Sequence, residues 1–233
     1  PLGGAGVQRT VKLLKHLPRL GYEAIVVTGP SDASIEWAPP DPSLENDVAG
    51  VTVRRARSRR SRLRDSPRAA RWLLASSPRD RWWHAEALRL GRPLLDDVDL
   101  VYASMSPFVS ASTACCLGRE GKKPWVADLR DPWALDEWTQ YPTALHRVVD
   151  ARRMRRVLGE ADAVVMNTGE AARALLREFP EISPRAVVTI PNGWDRDDFA
   201  SRVPARHDGK FRVVLTGYTH DAASGSGPIG SFR

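Results

Sequence analysis

The strongest constraint on the fold is a rhythm in the second half of the chain. From residue 99 onward, short apolar runs alternate with stretches of helical spacing. Asp99-Leu100-Val101-Tyr102-Ala103 reads as a strand, and Ser104-Met105-Ser106-Pro107 opens a helix that reaches Arg119. Residues 124–129 form the next strand, followed by Arg130-Asp131-Pro132-Trp133. A helix over 143–158 precedes the strand 163–166, Thr168 caps a helix through Phe179, and residues 186–190 are one more strand. Strands that are apolar along their whole length, alternating with helices, specify a parallel sheet covered on both faces. The expected class is therefore α/β, a Rossmann-like sheet, and such sheets bind ligands at the carboxyl ends of their strands. The polar residues at those ends include Thr28, Ser104, Ser106, Asp128, Arg130, Asp131, Asn192 and Asp195.

The amino-terminal stretch supplies the other half of a ligand site. Pro1-Leu2-Gly3-Gly4-Ala5-Gly6 runs into a helix whose apolar residues recur at Val7, Val11, Leu14 and Leu17. Glycines ahead of a helix expose backbone N–H groups at the positive end of its dipole, where an anion can approach closely. Gly21 ends this pattern, and residues 22–28 read as a buried strand closed by Gly29-Pro30. Residues 31–50 are polar and carry three prolines, as a surface excursion would. Val51-Thr52-Val53 is a short strand expected at a sheet edge, and a second helical region covers 80–95.

Charge is localised. The formal net charge is +7, but residues 54–71 alone, from Arg54 to Arg71, hold nine arginines against the single acid Asp65. The rest of the chain is close to neutral. Three uses fit this run: a solvated arginine-rich loop, an amphipathic surface on anionic lipid, or a nucleic-acid groove. The groove is disfavoured, because no aromatic is interleaved in the run and nothing else extends the basic surface. Cys115 and Cys116 are adjacent and have no partner elsewhere, which suits reduced thiols packed on a helix in a cytoplasmic setting. No apolar run is long enough to span a bilayer.

Several chemistries are excluded by their own requirements. A dinucleotide fingerprint needs a third glycine where Arg9 stands and an acid at the end of the second strand, which instead ends Val27-Thr28-Gly29. No Gly-Lys-Ser/Thr phosphate loop, Gly-x-Ser-x-Gly elbow or metal-spaced histidine pair occurs.

Four motifs together resemble those of the family 4 glycosyltransferases of the two-domain GT-B fold, in their amino-terminal domain. They are the glycine loop through Arg9, Ser104-Met105-Ser106-Pro107 after a strand, Trp125-Val126-Ala127-Asp128-Leu129-Arg130-Asp131-Pro132-Trp133, and Ile190-Pro191-Asn192-Gly193-Trp194-Asp195 followed by Phe199. The resemblance implies a retaining transferase that moves a sugar from a nucleotide diphosphate to a saccharide or lipid-linked acceptor, such as a cell-envelope or polysaccharide precursor. It implies no cofactor beyond the nucleotide-sugar co-substrate and no metal. The domain expected to carry the acceptor side covers residues 1–205. Residues 206–233 would open a donor-binding domain, with a Gly/Ser-rich tail. On this expectation the first strand and most of the donor half lie outside the chain, which would be inactive alone.

Carried onto this sequence, the resemblance gives Gly3, Gly4 and Gly6 close approach to the donor diphosphate, with Arg9 adding charge or anchoring the loop. Asp128, Arg130 and Asp131 stand where many relatives keep a histidine near the anomeric centre; no histidine can be carried over, and the cluster either acts on substrate or forms a structural Arg–Asp pair. Ser104, Ser106, Trp133, Asn192 and Gly193 are expected to line the cleft. For Trp133 and Trp138, helix packing competes with sugar stacking, and Asn192-Gly193 is expected to form a tight turn with a positive φ. Partners are a nucleotide sugar, a saccharide or lipid-linked acceptor and an anionic membrane surface touched through Arg54 to Arg71, with no nucleic acid. The location implied is cytoplasmic or peripheral to the inner membrane face. Two other functions share the features: a sugar-nucleotide epimerase of the same architecture, and a non-catalytic α/β module that binds an anion or a membrane.

Overall fold

The computed structural model describes residues 5–30, 41–57, 77–137, 139–200 and 209. By contacts the chain divides into two units, residues 1–194 and 195–233. In the first, α1 (Ala5–His16) leads through a 3-10 turn to β1 (Ile25–Thr28), and β2 (Thr52–Arg55) follows. Then come α2 (Pro78–Gly91), β3 (Val101–Met105), α3 (Val109–Gly121), β4 (Trp125–Leu129), α4 (Ala144–Leu158), β5 (Ala163–Met166), α5 (Gly169–Glu178) and β6 (Val187–Thr189). Gly21 ends the 3-10 turn after α1 with φ 82°, a conformation a side chain would oppose, and its N–H closes back onto the Pro18 carbonyl. In the second unit, a 3-10 turn at Arg196–Phe199 is capped by the Asp195 carboxylate, which accepts from the Asp197 N–H at 3.1 Å.

Among the described residues all strand pairing is parallel. β1 pairs with β2, and a separate four-stranded sheet has the order β3-β4-β5-β6. Parallel order requires crossover connections, and here α3, α4 and α5 supply them. The register sets Tyr102 beside Val126 and Ser104 beside Asp128, so these four residues share one face; Val101, Ala103, Met105, Trp125, Ala127 and Leu129 share the other.

The second of these faces carries the core. Met105, Ala127, Leu129, Val164 and Met166 are buried there with Ala111, Ala114 and Cys115 from α3, Met154 and Leu158 from α4, and Ala172 and Leu175 from α5. Gly118 of α3 lies against Trp125, close enough that a Cβ would sit 3.0 Å from the Lys123 carbonyl. The opposite face meets α1, where Thr10 Oγ1 lies 3.1 Å from Ser104 Oγ. Helices therefore cover both faces, the α/β arrangement expected from the sequence.

Differences from the sequence expectation are local. β3 runs two residues beyond Ala103 because Ser104 and Met105 stay in register with Asp128 and Leu129; a serine that signals a turn in isolation is here a strand residue. Part of the expected surface excursion is a 3-10 helix, Pro42–Val48, whose Leu44 is buried and whose Asp47 takes Lys12 of α1 at 2.6 Å. The cap at Thr168 is present, its hydroxyl accepting from the Ala171 N–H at 3.1 Å. Cys115 is buried and Cys116 partly so, both free and on α3. Among the described residues no helix is long and apolar enough to cross a membrane.

Candidate active site

At the carboxyl end of β4 the strand buries a carboxylate. Asp128 is fully buried, and a charge removed from water needs a partner and hydrogen bonds. Arg9 of α1 provides both: Nε lies 2.9 Å from Oδ2 and Nη2 lies 3.0 Å from Oδ1, a two-pronged fork. Tyr102 Oη donates to Oδ2 at 2.5 Å. The third nitrogen of Arg9, Nη1, donates to the Pro191 carbonyl at 3.2 Å and to Asn192 Oδ1 at 3.3 Å.

The hydrogen bond to Asp128 raises the Arg9 pKa above its ordinary value, against the opposing effect of burial. Tyr102 is 39% exposed as a residue, but its hydroxyl points to the buried carboxylate. Burial first, then the bond to Asp128, pushes its pKa well above the usual phenol range, so the hydroxyl stays a donor at any physiological pH.

Two residues beyond Asp128 the chain places a second arginine against the same helix. Arg130 is half-buried, and its Nε donates to the Met105 carbonyl at 2.7 Å. Its guanidinium then lies on the backbone of Gly6, where a Cβ would come within 2.8 Å of Cζ and closer still to Nη1. The missing Cβ of Gly6 permits this close approach: a side chain there would push the guanidinium end of Arg130 aside. A guanidinium against the first turn of a helix faces the positive end of the dipole, an arrangement that an intervening anion relieves.

Of the residues expected at the site, Gly6, Arg9, Asp128, Arg130 and Asn192 are brought together, and Ser104 joins them through Thr10. Ser106 and Asp131 are exposed beside this group. Trp133 is buried in the core, stacked on Phe108 with ring centroids 5.0 Å apart, and its Nε1 donates to Asp150 Oδ1 at 3.3 Å. Its ring therefore serves packing. The expected positive φ at Asn192-Gly193 is absent: the segment is held open by the two bonds from Arg9 instead of closing on itself. Gly3, Gly4, Trp138 and the arginine run beyond Arg57 lie outside the described residues.

Three participants were not singled out in the sequence: Tyr102, Thr10 and the Met105 carbonyl. A signal existed for the first. Tyr102 and Ser104 alternate in an otherwise apolar strand, which places two polar groups on one face. Away from this region, an open depression of 390 Å³ lined by Arg119, Lys122, Trp125, Glu160 and neighbours lies at the amino end of β4. It lies at the opposite end of β4 from the cluster, and its Arg119 is paired with Glu160 at 2.6 Å.

Comparison with known proteins gives the following. Three crystal structures of the Anabaena protein HepE, with UDP and glucose, with UDP-glucose and with UDP, are similar to this chain at 15%, 16% and 16% identity, with TM-scores of 0.48, 0.49 and 0.48. In each case the similarity covers 84% of this chain and 42% of HepE, so the chain spans less than half the length of these relatives. No curated protein matches. The model of Glycosyltransferase Family 4 matches residues 3–198, which is most of the chain. With the motifs and the parallel α/β architecture in place, that match is decisive: the chain belongs to glycosyltransferase family 4.

Proposed function

We propose that this chain forms the acceptor-side half of a retaining glycosyltransferase that uses a nucleotide diphosphate sugar. The observation that carries the proposal is the Gly6–Arg130 contact at the start of α1, which sets a cation beside first-turn N–H groups that have no partner within the helix. In such a transfer the bond between the anomeric carbon and the β-phosphate oxygen breaks, and that oxygen gains negative charge. Donors fixed in advance stabilise this charge without reorganising. The Gly6 turn and Arg130 have the chemistry for it, together with Gly3 and Gly4 ahead of the helix. The acceptor hydroxyl then bonds to the anomeric carbon from the face the donor leaves, as retention requires, and its proton passes to the departing phosphate oxygen.

Asp131 and Ser106, exposed beside Arg130, are the groups proposed to meet acceptor hydroxyls. Asp128, covered by Arg9 and Tyr102, contributes through them. A saccharide or lipid-linked acceptor from the cell envelope is the expected class. A basic segment from Arg54 to Arg71 would bring such an acceptor's membrane to the protein at the cytoplasmic face. Flotation with anionic vesicles checks this part: neutralising those arginines is expected to abolish co-flotation, and equal flotation contradicts it.

The site itself is tested by titrating UDP calorimetrically into the wild-type chain and R130Q. Saturable binding weakened at least tenfold by R130Q is expected. Equal affinities would contradict a role for Arg130 at the diphosphate.

A further inference from the structure

The two arginines at the start of α1 differ in what their nitrogens do. Each of the three nitrogens of Arg9 has a protein acceptor: Nε and Nη2 on Asp128, Nη1 on the Pro191 carbonyl and Asn192 Oδ1. Its charge is answered by a carboxylate that is itself fully buried. Arg130 spends Nε on the Met105 carbonyl and lays its terminal nitrogens on the Gly6 backbone.

The contacts are geometrically linked. Gly6 and Arg9 are three residues apart, so they lie on one face of α1, about 4.5 Å apart along its axis. Asp128 and Arg130 are two residues apart at the end of β4, a rise of about 6.6 Å. Helix and strand end therefore touch at two points, Arg9 on Asp128 and Gly6 on Arg130. Arg130 is independently tied to β3, so the contact at the second point depends on where the first turn of α1 is placed. Thr10 on Ser104 is a further fastening of the helix to the sheet.

We infer that Arg9 is a positioning residue, not an anion ligand: with Asp128 it fixes the first turn of α1 so that Gly6 rests on Arg130. Tyr102, which donates to the same Asp128 Oδ2 that accepts from Arg9 Nε, is the third member of this fastening. The role rests on the proposed diphosphate site, whose geometry it sets from behind.

Amide hydrogen exchange on the free protein, paired with UDP titration, tests this. In R9Q and D128N, the α1 amides are expected to exchange at least tenfold faster, while those of β4 and β5 keep their protection. UDP affinity is expected to fall about tenfold in each, the double variant being no worse than either single, because the two act as one unit. R9K, which keeps the charge but not the fork, recovers part of the affinity. Leu175→Val, a change in the core on the other face, serves as the control for a merely structural effect: it leaves α1 exchange and UDP affinity unaltered. Should R9Q or D128N fail to fold, Y102F removes a single bond to Asp128, and a smaller acceleration in the same amides is expected.

Unaltered α1 exchange in the folded variants overturns the inference, as does R9Q binding UDP like the wild type while R130Q does not. Absence of UDP binding by the wild type would sink the diphosphate site alone. The exchange measurement still decides whether Arg9 positions α1.

Discussion

The two faces of the four-stranded sheet are built on different principles. On one, Met105, Ala127, Leu129, Val164 and Met166 meet three helices through apolar contacts, each of these strand residues fully buried. On the other, Ser104 and Asp128 meet α1 through hydrogen bonds and one ion pair, and Tyr102 donates to the same Asp128 from the neighbouring strand. Apolar burial is non-directional and supplies stability in proportion to area, about 25 cal/mol per Å². A bidentate ion pair supplies less net stability but fixes distance and angle. The face that holds the protein together and the face that aims its glycine turn are thus separable, and substitutions should part them.

The largest effect is expected where the core loses volume. Leu129→Ala removes a fully buried side chain and should cost about 3 kcal/mol in urea unfolding, within the range for such cavities. A loss below about 1 kcal/mol would show that this face is not the main source of stability. Asp128→Ala comes next, at about 2 kcal/mol: the pair is buried on the Asp side, but the Arg9 side chain keeps 12% exposure and can turn to water. Here the difference from Leu129→Ala should be qualitative, with exchange rising in α1 ahead of β4 and β5. If both variants open the whole unit together, the two faces are one cooperative structure and the comparison breaks.

A smaller change tests the core side through its helix ends. Thr168→Ala removes the hydroxyl that accepts from the Ala171 N–H and should cost about 1 kcal/mol, without altering α1 exchange.

The smallest effect is a pH dependence. His84 of α2 packs on α3 with Nδ1 2.9 Å from Thr113 Oγ1, and desolvation, then nearby Arg92, lowers its pKa. Protonation therefore favours the unfolded chain. This contribution to stability is whole above the ordinary histidine pKa of about 6.5 and is lost as pH falls through that value toward the lowered one. Wild type should lose stability relative to H84Q as pH falls from about 7 to about 5. A difference that stays flat would mean that His84 does not titrate differently on folding.

Much of the core face was legible in the sequence. Residues 163–166 form a strand as their apolar run requires, Thr168 caps the following helix, and residues 144–158 are helical where the pattern placed them. Period and capping are local, so they can be read locally. The polar face was less legible because its structure depends on pairs far apart in sequence. For Asp128 the sequence left both a role on substrate and a structural Arg–Asp pair open; only the fold brings Arg9 and Tyr102 over it. Asn192-Gly193 has the composition of a positive-φ turn, yet Arg9 holds Pro191 and Asn192 in another shape. Leu44 sits in a proline-rich polar segment but is buried, beside the part that Lys12 anchors through Asp47. In each case a long-range contact overrides a local preference.

The most direct test of the account follows the side-chain Nε–H signals of Arg9 and Arg130 and the amide of Gly6 during a UDP titration by nuclear magnetic resonance. The account predicts that Gly6 and Arg130 shift together with a common affinity, while Arg9, saturated by Asp128 and the Pro191–Asn192 segment, stays nearly still. Movement of Arg9 with Arg130 unchanged would contradict it.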